Sequence, residues 1–334
     1  MKKLLLLVLS VSAFSLASKA QDTVKTTSDS PLVIFGSADA YYKYDFSGHN
    51  NIPTYYGTDQ NSFSVGMIDF GFKKKVGKAA VVAELSFGPR SDASLPVPTN
   101  HIENLYVSYD VTDAFNITGG YMQTFVGYEV ISPTGNFNYS TSYLFSAGPF
   151  QNAGVKATYT FSPAVSLMAG VFNDQWNVYS TNTSAGPGKI NTFGAQLMVA
   201  PVKGWTAYLN LLTGPASGTI EDLTTTYQIT DAFKLGLNAA NKTGSGATNY
   251  KGAALYPQLA VSKAVTLGIR GEYFKPTGGT DILAGTLTAN IKSGPLTFMP
   301  EIRFDNGKDQ IFTDKNGMPT KTASQFLLAA VYAF

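Results

Sequence analysis

The sequence predicts an all-β chain, a transmembrane antiparallel up-and-down β-barrel of about sixteen strands, with short periplasmic turns at one end and long extracellular loops at the other. Three observations predict it. Apolar and polar residues alternate with period two along the whole chain, and no segment holds a helical period. Most alternating runs are about 9–12 residues long, what a strand tilted by ~45° needs to cross a bilayer. The composition is apolar and aromatic yet poor in charge: 44% hydrophobic, 13% aromatic, 32 glycines in 334 residues and 14% charged, against about 25% charged in an ordinary soluble domain.

The same composition closes off other chemistries. With no cysteine, disulfide scaffolds, thiolate zinc sites, iron–sulfur clusters and thiol nucleophiles are excluded. Two histidines, His49 and His101, are too few for a His-rich metal site. Ample apolar content and a net charge near zero argue against disorder.

Taken in order, residues 1–20 read as a signal peptide. Lys2 and Lys3 form the basic start, Leu4 to Leu16 the apolar stretch, and Ser18-Lys19-Ala20 the small-residue cleavage site. The apolar run is too short to span ~30 Å of hydrocarbon. Removing Lys2, Lys3 and Lys19 from 24 basic residues leaves 21 against 22 acidic ones. No polybasic surface for nucleic acid remains. Residues 21–31 are expected to be a short periplasmic segment and 32–334 the barrel.

Strands are expected near 33–45, 62–73, 79–88, 102–110, 115–124, 154–161, 165–173, 190–200, 205–213, 221–230, 233–243, 250–261, 265–274, 282–292, 296–305 and 323–334. The first shows the pattern. Ile34, Ala38, Ala40, Tyr42 and Tyr44 share one face, and Ser37, Asp39, Tyr41, Lys43 and Asp45 the other. The connections alternate between tight turns, such as Ser162–Ala164 and Ser293–Pro295, and loose segments rich in Gly, Asn, Thr and Pro. That alternation, with an even strand number, is the pattern of outer-membrane barrels. A secreted sandwich would charge its solvent face, and a solenoid would repeat at a fixed length.

Aromatics of the apolar face gather at strand ends: Tyr42, Tyr44 and Phe46 at one end, Phe70, Phe72, Trp205 and Phe233 at the other. Girdles at the two lipid–water interfaces explain that placement. The chain ends with Phe326, Leu328, Ala330, Tyr332 and Phe334 on one face. Tyr332 and Phe334 read as the C-terminal signal of the barrel-assembly machinery.

Particular motifs carry a resemblance. Gly119-Gly-Tyr-Met-Gln-Thr-Phe-Val-Gly127-Tyr128-Glu129, Asn136-Phe-Asn138-Tyr139-Ser140, Pro149-Phe150-Gln-Asn-Ala-Gly154-Val155, Arg270-Gly-Glu272 and Pro300-Glu301-Ile-Arg303-Phe-Asp305 resemble the putative β-barrel porin 2 family of bacterial outer-membrane proteins. Asn173-Asp-Gln-Trp176 departs from the family's Asn-Gly-Trp. The resemblance implies an outer-membrane porin and identifies no solute.

A barrel of about sixteen strands leaves room for an aqueous channel. The expected function is passive diffusion of small hydrophilic solutes, with no cofactor, metal or catalysis. The rivals are a non-transporting barrel acting in adhesion, reception or structure, and a solute-specific channel. Asp314-Lys-Asn316-Gly317 lacks the spacing and the later Glu of a calcium loop, and Gly244-Ser-Gly246 leads into no helix that would hold phosphate. Expected partners are outer-membrane lipid, the assembly machinery and, by analogy with porins of this size, two further copies in a homotrimer.

Two groups of residues are singled out. The segment Phe125–Ala153 is long for a connection and aromatic for a solvated loop. It is expected to fold into or across the lumen as a constriction, with Tyr128, Glu129, Asn136, Tyr139 and Phe150 as its candidate residues; the alternative is packing over the rim or against a neighbouring protomer. The polar parity of the strands is expected to line the pore. It holds Asp39, Lys43, Asp69, Glu84, Lys156, Arg270, Glu272, Glu301, Arg303 and Asp305, because a basic residue facing lipid at mid-depth costs ~2–4 kcal/mol. The middle strands present neutral groups there, such as Gln196, Asn210, Thr224, Asn238 and Gln258.

Overall fold

Sixteen antiparallel strands, each bonded to its neighbours in sequence, close into one barrel as the first pairs with the last. The computed structural model describes residues 30–95, 101–174, 178–179, 188–244 and 249–334. The expected signal peptide 1–20, residues 21–29 and Trp176 lie outside the described residues.

The strands are β1 (Val33–Asp45), β2 (Ser62–Val76), β3 (Ala79–Phe87), β4 (Ile102–Asp110), β5 (Phe115–Gln123), β6 (Gln151–Ser162), β7 (Val165–Asn173) and β8 (Ile190–Val199). They continue as β9 (Trp205–Gly214), β10 (Gly218–Gln228), β11 (Phe233–Thr243), β12 (Tyr250–Ala260), β13 (Val265–Pro276), β14 (Ile282–Ser293), β15 (Leu296–Gly307) and β18 (Thr322–Ala333). Between the last two, β16 (Phe312–Thr313) and β17 (Pro319–Thr320) form a small separate hairpin. The period-two pattern could not show it, because each arm has only two residues. Among the described residues, two short α-helices, α1 (Pro89–Ser94) and α2 (Tyr143–Ser146), lie in the connections, with a single 3-10 turn at Pro133–Gly135.

Alternation fixes which side of each strand faces out. On β13, Leu267, Ile269 and Tyr273 are exposed, while Arg270, Glu272 and Phe274 are buried. Val107, Val171, Leu209, Leu255, Leu287 and Phe304 repeat this around the circumference. So much exposed apolar surface on a soluble protein would drive association. Around a barrel it is the lipid-facing belt.

The seam is made by β1 and β18, in register from Ser37↔Ala333 to Asp45↔Gln325. Gly36 and Phe334 exchange backbone hydrogen bonds of 3.1 and 3.0 Å. The Phe334 ring occupies the space beside Gly36, where an added Cβ would come within 2.7 Å of it. One bulge interrupts β1–β2 between Ala38 and Ala40, so that the β2 strand carries an extra residue there. The freed Met67 N–H donates to Asp39 Oδ1 at 3.0 Å.

Among the described residues the connections alternate between short and long, and one differs from the expectation. Residues 215–217 make a tight loop, because β10 begins at Gly218, three residues before the expected start at 221. Gly218 has φ 69°, a left-handed conformation that lets the chain turn there at little cost.

Candidate functional site

Residues 124–150, between β5 and β6, fold into the barrel. A segment buried inside a wall must find a partner for every backbone polar group, and here charged side chains of the wall and of α1 supply many of them. Carboxylates take the N–H groups. Glu301 accepts from Tyr139 at 3.1 Å, Glu272 from Tyr143 at 3.0 Å and Leu144 at 2.8 Å, and Asp222 from Gly127 at 3.0 Å. Guanidinium groups take the carbonyls. Arg270 donates to Ser140 O at 2.6 Å and Thr141 O at 3.3 Å, Arg303 to Thr141 O at 2.8 Å, and Arg90 of α1 to Ile131 O at 2.5 Å. Arg270 also pairs with Glu129 of the loop at 2.8 Å.

Side chains add further ties. Tyr139 donates to Asp39 at 2.5 Å, Tyr143 to Asp305 at 2.7 Å, and Ser132 to Asp69 at 2.8 Å. Burial, and then the Asp39 carboxylate, push the Tyr139 hydroxyl above the usual tyrosine range. Burial and Asp305 do the same to Tyr143. Both therefore keep their protons and donate.

The aromatics of the loop are apolar anchors on several sides. Phe125 and Val126 pack with Phe172, Leu212 and Ile220. Tyr139 joins Tyr41, Met299 and Leu327. Tyr143 and Leu144 join Tyr250, Tyr256 and Phe274. Ile131 and Phe150 join Tyr56 and Met67. Tyr128 stacks on Tyr256 with centroids 4.3 Å apart. Inward-facing glycines make notches for these side chains. A Cβ on Gly236 would lie 2.2 Å from the Tyr128 hydroxyl, and one on Gly268 2.3 Å from the Phe137 ring.

Of the residues singled out from sequence, the structure brings Asp39, Asp69, Arg270, Glu272, Glu301, Arg303 and Asp305 together around this loop. Arg270 and Arg303 are each 0% exposed, covered by it. Lys43 instead holds the β1–β2 connection through Asn50 and Thr58 O. Glu84 accepts from Asn104 at 2.6 Å. Lys156 stands apart from the loop, half-buried in the wall. Asn136 closes a turn within the loop, donating to Val130 O at 2.7 Å and accepting from Val130 N at 2.9 Å. Tyr332 points outward and Phe334 lies at the seam.

Sequence reading missed Arg90, Asp222 and Lys234. The alternation of β10 and β11 carried the signal for Asp222 and Lys234, which share the inward parity with Thr224 and Asn238. Arg90 sits in a connection and left no such signal. Among the described residues, no group of three or more His, Asp or Glu is placed to hold a metal.

Between the loop and the short-turn end, the barrel encloses a cavity of about 2040 Å³. The loop roofs it with Phe125, Tyr128, Val130, Thr134 and Phe137. Its wall is mostly hydroxyl, amide and lysine side chains.

A closed sixteen-strand barrel with an apolar belt outside, a polar interior and a long loop folded inward defines an outer-membrane porin. Residues 31–334 match the model of the family described as Putative beta-barrel porin-2, OmpL-like. The chain belongs to that family. Its fold is similar to OmpF of Salmonella typhi, solved with daunomycin (TM-score 0.61, 13% identity, 91% of this chain and 97% of that one). It is also similar to an anion-selective porin from Comamonas acidovorans (TM-score 0.58, 11% identity, 91% and 99%) and to the trimer form of OmpT of Vibrio cholerae (TM-score 0.56, 12% identity, 92% and 100%). At these identities the likeness shows the fold alone. No curated protein sequence matches the chain.

Proposed function

We propose that the protein is a water-filled channel for passive diffusion of small hydrophilic solutes across the outer membrane, with residues 124–150 as its constriction. The observation that carries this reading is the polar cavity of about 2040 Å³ inside the barrel. Permeation through it needs neither cofactor nor catalytic group. Pore radius, polar contacts and the field of the wall would decide what passes. The lumen charges set the constriction by holding the loop, and Glu84 and Lys156 face the water beneath it.

The rest of the reading follows from this placement. Residues 1–20 serve as the export leader, and the assembly machinery reads the strand ending in Tyr332 and Phe334. The short turns face the periplasm. A homotrimer is the assembly by analogy with the trimeric neighbour. Purified protein in a planar bilayer should give discrete ionic conductance steps, and proteoliposomes should swell in small sugars faster than in large ones.

One observation favours a second reading, a barrel that does not transport. The loop meets β1 and β2 on one side and β8, β10, β13 and β15 on others, as a plug would. Protein that is folded in the bilayer yet passes neither ions nor sugars would establish that reading and overturn the first.

A further inference from the structure

The charges of the cavity below the loop are unequally used. Each acidic side chain of its wall already has partners. Asp69 accepts from Ser37 at 2.6 Å and Ser132 at 2.8 Å, Glu84 from Asn104 at 2.6 Å, and Asp110 from Lys75 at 2.6 Å and Asn116 at 2.8 Å. All three lie on β2 to β4. Higher up, Asp222 is held by Asn210, Asn238 and Gly127 N. The remaining acids of the cavity, Asp113 and Asp231, are exposed turn residues at its mouth, where Lys203 lies too.

The opposite half of the wall, from β6 to β12, presents Lys156 and Lys234, set among neutral groups such as Thr158, Gln196, Tyr208 and Thr226. Lys156 makes no hydrogen bond or ion pair with any described residue, and no charged neighbour acts on it. It stands opposite Thr118 on β5 and Gly170 on β7. The Phe172 ring and the Lys156 Cβ close over Gly170, where an added Cβ would come within 2.8 and 2.9 Å of them. Lys234 sits between Gln228 and Gln258, close to the mouth. It too has no acidic partner among the described residues. An ammonium group set in a wall without a counter-charge loses hydration and gains nothing from the protein. An anion carried in the cavity water would supply the missing counter-charge.

The geometry points to Lys156 as a binding station for small anions, with Lys234 as a second station nearer the mouth. Together they give the channel a preference for anions over cations. This rests on the channel reading above. The two buried arginines, Arg270 and Arg303, take no direct part, because the loop covers them.

The test is the zero-current potential of the full-length protein in a planar bilayer across a KCl gradient. The sign set by chloride is expected. K156Q should lower the chloride-to-potassium permeability ratio about threefold at 0.1 M salt. The change should be smaller near 1 M, where the screening length falls to about 3 Å. K234Q should lower the ratio less, K156R should preserve it, and K315Q, on the exposed β16–β17 hairpin, should leave it unchanged. A conducting wild type with no anion preference, or a folded and conducting K156Q with the parent's potential at low salt, overturns this inference and leaves the channel reading intact. Absence of any conductance overturns both.

Discussion

Replacing Arg270 with glutamine should loosen the lumen loop. The guanidinium holds Glu129 at 2.8 Å and the carbonyls of Ser140 and Thr141 at 2.6 and 3.3 Å, in a site that is 0% exposed. Breaking a buried ion pair by removing one partner costs about 3–5 kcal/mol. A buried acceptor left without its donor costs a further 1–3 kcal/mol or so. The loop escapes part of this by moving out to water, so the seated state should lose about 4 kcal/mol relative to the unseated one. At about 1.4 kcal/mol per decade, that is nearly a thousandfold shift in the equilibrium. The shift does not make release complete. Apolar anchors on several sides remain, each buried aromatic contributing about 1.5–3 kcal/mol. The expected record in single-channel recordings is therefore flicker, with frequent visits to a larger conductance level that is rare in the parent. A folded Arg270→Gln protein with the parent's conductance levels and dwell times would show that packing alone seats the loop, and would refute the electrostatic account.

Other perturbations test separate parts of the structure. Deleting residues 136–146 removes the segment that Arg270, Arg303 and Glu272 hold, and should raise unitary conductance in the same recordings; an unchanged value would place the narrowest point elsewhere. Gly236→Val puts side-chain atoms where the Tyr128 hydroxyl lies, so it should unstack Tyr128 from Tyr256 at a cost of about 1–3 kcal/mol, read as a lower denaturant midpoint. Leu287→Arg, on the exposed face of β14, should cost about 2–4 kcal/mol if that face meets lipid; refolding into bilayers at the parent's stability would count against the orientation. Removing Phe334 uncovers Gly36 at the seam and deletes its two backbone bonds, and should reduce the yield of folded barrel in an electrophoretic mobility assay.

The wall was legible because a strand between lipid and water repeats its burial every second residue. Sixteen such runs appear in the sequence, and Asp39 and Arg270 could be placed inward from parity alone. The inward course of the loop was legible from its aromatics, since Tyr139 and Tyr143 have no reason to sit in solvent. What the sequence does not carry is which wall charge meets which loop atom. Glu272 and Glu301 share one parity and look equivalent, yet one takes the N–H groups of α2 and the other that of Tyr139. Those contacts depend on strand stagger and on the path of the loop, and neither is periodic. Nor does parity show that a covering loop would withdraw Arg270 and Arg303 from water while leaving Lys156 in contact with it.

The ties of the lumen loop also bear on the order in which the molecule can form. They join residues far apart along the chain: 100 positions separate Tyr139 from Asp39, 141 separate Arg270 from Glu129, and 162 separate Tyr143 from Asp305. Most of the seat belongs to strands made after the loop itself. The first half of the wall offers the loop only part of its seat, on β1, β2 and β8, and the rest of its closure entropy is met only once β13 and β15 are in place. Seating is accordingly a late event of folding, coupled to the joining of β18 with β1. A chain stalled before that seam closes would carry a fully grown wall around an interior whose charges have not yet found one another.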